Sequence, residues 1–169
     1  ESSVGTTIDT VNYESKFGQG MIKFEKENLN KNHPIVNGKY KVEKLVSFGG
    51  SALLGPKYEN ILKLGQNSLN IKHSTGVGPE GKGNSQCLAG IYGSGKVVAL
   101  GDANGFPAMV FNIDGGDKMY LGMNTEGYDW KNFVPSLDFI IDYTYSVPNI
   151  EYKLSEISKL YNSIQNIHT

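Results

Sequence analysis

A set of polar residues near the end of one apolar segment is where this sequence could do chemistry. Asp102 follows the apolar run 97–101, Asn104 lies two residues on, and Asp129 and Trp130 stand at the expected start of a helix. The carboxyl end of a buried strand opens onto a crevice, and a helix start adds a positive dipole end. We therefore predict a binding site at these four residues. The competing interpretation is that Asp102 and Asp129 satisfy turn and helix-cap amides.

The glycine-rich stretch 76–85 matches part of two nucleotide-binding patterns, both of which place phosphates on the amides at a helix start. Gly83 stands where the Walker pattern needs a hydroxyl side chain, and Pro79 lacks an amide. The flanking segments are predicted strands, so no helix start is available. We therefore predict a surface loop that binds no nucleotide, although the pattern GxGxxG is met by Gly76, Gly78 and Gly81.

Cys87 is the only cysteine, so the chain has no internal disulfide and no CxxC site. A cysteine nucleophile needs a nearby base, usually a histidine. Cys87 lies within a predicted strand, which indicates a buried structural thiol. No HExxH motif or histidine cluster is present to bind zinc. We expect neither a cofactor nor a bound metal. The three histidines lie far apart along the sequence, at His33, His73 and His168.

The overall composition excludes several classes of partner. The chain has 169 residues, of which 38% are hydrophobic and 20% charged, which suits one ordinary domain. The formal net charge is −1, so no overall positive field attracts the chain to nucleic acid. All 16 basic residues are lysines, and a function built on bidentate arginine recognition is therefore disfavoured. No apolar run reaches the roughly 18 residues of a membrane span.

The apolar pattern predicts mostly short strands. Residues 86–92 and 96–101 face each other across Gly93-Ser94-Gly95, a strong hairpin signal. A second apolar stretch, 107–113, precedes the tight turn 114–117. These patterns indicate a β-rich domain. Further short strands are expected at residues 20–25, 40–48, 58–64 and 68–72.

Helical periodicity is confined to the C-terminal part of the chain. A helix is predicted over 130–143, with Pro135 shifting its expected start to just before that residue, and a second helix is predicted over about 150–167. The second helix carries a short heptad seam, at Ile150, Leu154, Ile157, Tyr161 and Ile164. It either packs on its own domain or supports self-association through residues 150–167. We expect residues 1–145 to form one β-rich α/β domain, or the later part of a larger one, and residues 146–169 to be a C-terminal helix or linker.

The hairpin at residues 92–102 resembles a segment of class I glutamine-amidotransferase-like domains, in particular their non-catalytic ThuA-like members and related domains of unknown function. Residues 32–38, 48–51 and 128–133 resemble further segments of this superfamily. The resemblance implies an α/β, flavodoxin-like sheet with extra antiparallel β-hairpins and C-terminal helices. The alternative is a β-rich α+β domain. The opening βαβ units with the cysteine elbow and the closing His-x-Glu have no counterpart, so glutaminase activity is not inherited.

The resemblance implies a non-catalytic accessory or binding domain with a carbohydrate or protein partner. We expect it to belong to a larger bacterial protein that is extracellular or on the cell surface, and to have no activity alone. One alternative is a hydrolase fragment with a carboxylate site at Asp102. Another is a structural or oligomerisation module. Aromatic rings stack on sugars, and the aromatic residues expected to be exposed are Tyr92, Tyr120, Tyr128 and Trp130.

Overall fold

The computed structural model describes residues 6–16, 18–72, 76–80, 84–112 and 115–140. This part of the chain is rich in strands and has few helical residues. Short 3-10 helices lie at Lys26–Asn28 and Leu137–Ile140, and the α-helices are α1 (Pro34–Asn37) and α2 (Trp130–Ser136). The strands are β1 (Thr6–Asp9), β2 (Tyr13–Glu14), β3 (Gly18–Glu25), β4 (Lys44–Val46), β5 (Glu59–Lys63), β6 (Ser68–Lys72), β7 (Gly76–Glu80), β8 (Ser85–Tyr92), β9 (Gly95–Leu100), β10 (Ala108–Asn112) and β11 (Lys118–Gly122).

Strand pairing is antiparallel throughout the described residues. The strands form sheets of order β1-β6-β7, β2-β3-β4 and β5-β8-β9, with β10-β11 as a separate pair. A flavodoxin-like sheet requires parallel strands joined by crossover helices. That expectation is not confirmed, and the β-rich alternative fits the described part of the chain.

The hairpin expected across Gly93-Ser94-Gly95 is confirmed, and the tight turn expected after residue 113 joins the strands of a second hairpin. Strands β8 and β9 pair from Cys87 opposite Leu100 to Tyr92 opposite Gly95, and Gly93 in the turn has a φ of 61°. Strands β10 and β11 pair in the same way, and the glycines between them also have positive φ. Because these turns need left-handed backbone that glycine adopts without strain, local sequence fixes both hairpins.

The prediction of a surface loop over the glycine-rich stretch 76–85 is wrong for its first five residues. Residues 76–80 are not a loop but strand β7, which pairs with β6 from Lys72 opposite Gly76 to Leu69 opposite Glu80. Backbone pairing with a neighbouring strand outweighs the low strand propensity of glycine and proline here. The nearest described elements on either side of 81–83 are strands β7 and β8, and neither contains the helix start that a nucleotide loop needs.

Helix α2 begins at Trp130 and not just before Pro135, and its α-helical part is shorter than the predicted 130–143. Pro135 lies inside the helix, and the Leu137 amide bonds to the carbonyls of Val134 and Pro135. This tighter bonding marks the change to the 3-10 helix Leu137–Ile140. The helix or linker predicted for residues 146–169 lies outside the described residues. Within the described part, no helix is long and apolar enough to cross a membrane.

One hydrophobic core is formed by residues of β3, β4, β5 and β8 together with residues of α2. Phe24 on β3, Leu45 on β4 and Phe133 on α2 are fully buried within it. Cys87 on β8 lies in the same core, and its burial raises the pKa of the thiol far above its usual range. The prediction that Cys87 is a buried structural thiol is confirmed.

Candidate functional site

The four residues predicted as a binding site all lie along one edge of β4. Strand β4 pairs with β3 through its first edge, where Leu45 is opposite Phe24, and the Ser47 amide continues the pairing by donating to the Ile22 carbonyl. Since backbone groups alternate in direction along a strand, residues 44, 46 and 48 turn toward the opposite edge. Side chains and the backbone amide of Asp129, rather than another strand, bind this edge.

Asp102 and Asn104 close the far end of this edge. The Asp102 Oδ2 atom accepts from the Phe48 amide at 2.5 Å, and its Oδ1 atom accepts from the Asn104 amide at 2.8 Å. The Asn104 side-chain amide donates to the Phe48 carbonyl at 3.0 Å. Asp102 is buried. Both of its carboxylate oxygens are therefore used to fix backbone.

Asp129 binds the near end of the edge. Its Oδ2 atom accepts from the amides of Glu43 and Lys44 at 2.7 and 2.9 Å, and its own amide donates to the Lys44 carbonyl at 2.8 Å. The side chain makes no capping bond to α2. The expectation that this carboxylate caps the helix is wrong, because the amides of the strand edge take it instead.

Trp130 binds the middle of the edge. Its indole Nε1 donates to the Val46 carbonyl at 2.9 Å, and its ring meets Phe133 edge-on at 5.4 Å between centroids. Gly105 lies so close that an added Cβ would be 2.1 Å from the ring. The side chain is 1% exposed. The expectation of an exposed aromatic is wrong here, because the largest apolar side chain of the helix fills the core.

The structure thus brings the four predicted residues together, but along a backbone edge and not around a crevice. Their polar atoms hold the segment from Glu43 to Phe48, which would otherwise leave buried amides and carbonyls unpaired. A ligand role for them stays a prediction. The turn-capping interpretation of Asp102 agrees with its observed bonds to backbone amides.

Sequence reasoning missed an apolar groove on the outer face of the β5-β8-β9 sheet. The groove has a volume of about 510 Å³. It lies between the β8–β9 hairpin and the loop before β5. The lining includes Leu53, Leu54, Tyr58, Leu88, Tyr92 and Val97. The sequence contains a pattern that indicates this groove. Side chains on both faces of β8 and β9 are apolar, although the core covers only one face of this sheet.

The groove has a fixed base and an exposed rim. The Tyr58 ring lies over Gly90, where an added Cβ would be 2.7 Å from the ring, and beside Gly55, where it would be 3.1 Å away. The rim is formed by Leu54 and Tyr92, which are 55% and 76% exposed. Both glycines therefore leave the room that the Tyr58 ring occupies. Exposed apolar groups around a shaped concave surface are typical of a binding site.

A second, more polar cleft of about 290 Å³ lies around Tyr120 and Tyr128. The Tyr128 hydroxyl donates to the Glu14 carboxylate, and the Lys44 ammonium lies 4.7 Å from the centre of the Tyr128 ring. Burial and the Glu14 carboxylate raise the pKa of the phenol, while the Tyr128 hydrogen bond lowers the pKa of Glu14. Tyr120 is 47% exposed. The cleft thus offers one fixed ring and one exposed ring among charged groups.

Comparison with protein-family models, with curated proteins and with solved structures gives no match for this chain. The described residues contain no group of three or more His, Cys, Asp or Glu side chains that could hold a metal ion. The site therefore has to be judged on its geometry alone.

Proposed function

We propose that the chain is a non-catalytic binding domain of a larger protein, and that its groove binds an apolar segment of a protein partner. The observation that carries this proposal is the shaped groove lined by Leu53, Leu54, Tyr58, Leu88 and Tyr92. Its volume lies within the range of roughly 300–1,000 Å³ usual for binding pockets. Tyrosine is enriched among the residues that dominate protein interfaces.

A protein partner suits the groove better than a sugar. The walls are mainly aliphatic, and the groups with polar ends are Tyr58, Tyr92 and Lys96. Sugar recognition needs several converging hydrogen-bond donors and acceptors, because a sugar hydroxyl that is desolvated without a partner weakens binding. Apolar side chains of a peptide need no such partners and gain from leaving water.

The non-catalytic part of the proposal rests on the carboxylates and the thiol. The Asp102 oxygens accept backbone amides, which argues against the hydrolase alternative, since an acid or base must reach a substrate proton. Cys87 is buried with a raised thiol pKa, which argues against a nucleophile. The resemblance to non-catalytic amidotransferase-like domains, with their exported or cell-surface setting, is the basis for placing this domain in a larger bacterial protein.

Selection from a phage-displayed peptide library tests the proposal. We expect the full chain to enrich peptides with clustered apolar residues, and Val97→Glu to abolish the enrichment because it puts a charge on the groove wall. Val110→Glu is the matched control, since Val110 is an exposed valine on the separate β10-β11 hairpin. Enrichment that survives Val97→Glu, or no enrichment at all, would refute the protein-binding groove.

A carbohydrate partner is the second candidate, and the Tyr120–Tyr128 cleft is the observation that favours it. An exposed ring beside charged hydrogen-bonding groups suits a sugar, which stacks and hydrogen-bonds at the same time. A glycan array probed with the full chain tests this candidate. Binding should be lost in Tyr120→Ala and kept in Tyr92→Ala, which removes an exposed tyrosine of the other site.

A further inference from the structure

We propose that the partner binds as an extended strand, which pairs with the outer edge of β9 and places every second side chain at the groove. This inference rests on the proposed function, and it specifies the conformation and the residue pattern of the partner segment. Strand β9 is the last strand of the β5-β8-β9 sheet. One of its edges pairs with β8, and its residues also line the groove. The groove and the outer edge are therefore adjacent.

The outer edge of β9 presents the backbone groups of Val98 and Leu100. The Gly101 amide donates to the Gln86 carbonyl at 2.9 Å, so every second residue back along β9 also turns its backbone groups toward β8. Val98 and Leu100 alternate with these residues and turn theirs away from β8. Within the part of the chain that the structure describes, these backbone groups bond to no other segment. They form a row of donors and acceptors that a further strand can pair with.

Two other strand edges close to this site are covered by the chain itself. On the outer edge of β5, the Asn30 amide donates to the Ile61 carbonyl at 3.0 Å, and Leu29 forms a bridge with Leu62. The edge of β4 is bound by the side chains described above. All residues of β9 are described, and they include no proline and keep one register with β8. Strand β9 therefore lacks the bulge, proline or cover that usually protects an edge.

The two faces of β9 show which side chains of the partner would enter the groove. Val98 and Leu100 face the core, where Leu137 of the 3-10 helix Leu137–Ile140 packs on the same cluster. Val97 and Ala99 face the groove. Every second side chain of an added strand would stand beside one of these two residues. Because Ala99 is small and exposed, a large side chain beside it can reach the groove floor.

The ligand class that fits is an extended segment of about six residues, the length of β9, with apolar side chains at alternate positions. Its main chain would supply hydrogen bonds to the edge, and its apolar side chains would supply contacts in the groove. A helix would offer apolar residues at spacings of three and four and would leave the edge of β9 unpaired. The residue pattern of the partner therefore separates the two modes of binding.

Two peptide libraries of matched composition test the pattern. Apolar residues stand at every second position in one library and at spacings of three and four in the other. The full chain should enrich the first library at least about tenfold over the second. N-methylation of a synthetic enriched peptide should lower its affinity about tenfold or more at every second residue and little at the residues between, because only alternate amides face β9.

Val98→Pro tests the edge from the side of the protein. Proline lacks the amide that Val98 turns outward, and an edge strand tolerates proline where the amide faces away from its neighbour. This variant should bind the enriched peptide at least about tenfold more weakly. The matched control is Val98→Ala, which also loses side-chain packing but keeps the amide, and it should bind like the unchanged chain.

Hydrogen exchange of the unchanged chain gives a measurement that needs no folded variant. Without peptide, the amides of Val98 and Leu100 should exchange at least about tenfold faster than those of Val97 and Ala99, which bond to β8. The enriched peptide should slow the exchange of Val98 and Leu100 and leave the other two amides unchanged. Slow exchange at Val98 and Leu100 without peptide would show a covered edge and overturn the inference.

The remaining outcomes separate this inference from the proposed function. If only the helix-patterned library is enriched, or if N-methylation shows no two-residue period, strand addition is refuted. The proposed function then stands as long as Val97→Glu abolishes binding. Enrichment of neither library refutes both. A free chain that is dimeric, and that becomes monomeric in Val98→Pro, would assign the edge to a second copy and overturn the inference as well.

Discussion

At the scale of single residues, two aspartates stabilise the edge of β4 from distant positions in the chain. Asp102 follows an apolar strand, and its partner Phe48 lies 54 positions away. The amide partners of Asp129 are more distant still, with Lys44 lying 85 positions from it. Local patterns show that a polar group stands at a strand end or a helix start. They do not show that a backbone edge from elsewhere in the chain comes to meet it.

The two aspartates should differ in how they tolerate asparagine. Asp102 uses both oxygens, each for a different amide, while a single oxygen of Asp129 accepts both of its side-chain bonds. Asparagine keeps one oxygen and turns an amino group toward the other donor. Asp102→Asn should therefore cost about 2–3 kcal/mol of unfolding free energy and Asp129→Asn about 1 kcal/mol or less. Urea denaturation measures both.

The exposed Asp117 provides the control for these two variants, and Asp117→Asn should change the unfolding free energy by less than about 0.5 kcal/mol. Equal costs for Asp102→Asn and Asp129→Asn would contradict the bonding scheme at the β4 edge. A ligand site at Asp102 would give a different result, namely lost binding with little change in stability.

Asp9 gives a prediction about pH. Its burial raises the pKa of the carboxyl, but hydrogen bonds from Asn12, Val11 and Ser68 outweigh this and lower that pKa overall. A carboxyl with a lowered folded pKa contributes stability above its unfolded pKa of about 3.9 and loses it as the pH falls through the folded value. Below about pH 4, the unfolding free energy of Asp9→Asn should therefore fall less steeply than that of the unchanged protein. A difference above pH 5 between the two proteins, in how steeply the unfolding free energy changes with pH, would contradict this assignment.

At the scale of elements, local signals predicted the β8–β9 hairpin and the turn between β10 and β11, and long-range pairing decided the rest. The turns at Gly93 and at Gly115–Gly116 require positive φ, which the sequence shows directly. Strand β7 was missed because glycine and proline disfavour strands, and its pairing with β6 is not a local property. Strand direction was missed for the same reason. An apolar run looks alike in a parallel and an antiparallel sheet, so a family resemblance determined that expectation.

The docking of α2 onto the loop after β9 depends on Gly105. A Cβ at this position would be 2.1 Å from the ring of Trp130, which is itself buried against Phe133. Gly105→Ala should therefore lower the unfolding free energy by about 1–3 kcal/mol, the usual cost of overpacking a core. Trp130 is the only tryptophan, so its emission during denaturation reports this contact directly.

The matched control is Gly20→Ala on β3, where an added Cβ meets no atom within 4 Å. This variant should keep the denaturation midpoint and the emission maximum of the unchanged protein. A Gly105→Ala protein that is as stable as Gly20→Ala would mean that the indole ring does not rest on the glycine backbone.

At the scale of the whole molecule, apolar surface is divided between a closed core and an open face. Cys87 and Ala89 on β8 point into the core that α2 completes. Leu88 and Tyr92 alternate with them and point to the groove. The same hairpin therefore packs one face into the core and lines the groove with the other. A charge on the groove face, such as Val97→Glu, should change binding far more than stability, whereas changes on the inner face should do the reverse.

The thiol of Cys87 allows the stability of the whole described core to be measured in the absence of denaturant. It is the only cysteine, it is fully buried, and burial holds the pKa of its thiol far above the usual range. A thiol reagent should therefore reach it only when the core opens. With an unfolding free energy of about 5 kcal/mol or more, labelling should be at least about a thousandfold slower than in the unfolded chain. A thiol introduced by Val110→Cys, at an exposed position on β10 outside the groove, should react at once in the same molecule, which shows that slow labelling of Cys87 reflects its burial and not an inactive reagent. Gly105→Ala should speed the labelling of Cys87 by the factor that its loss of unfolding free energy predicts, because both report the same core. Labelling that ignores Gly105→Ala would show that β8 opens separately from α2.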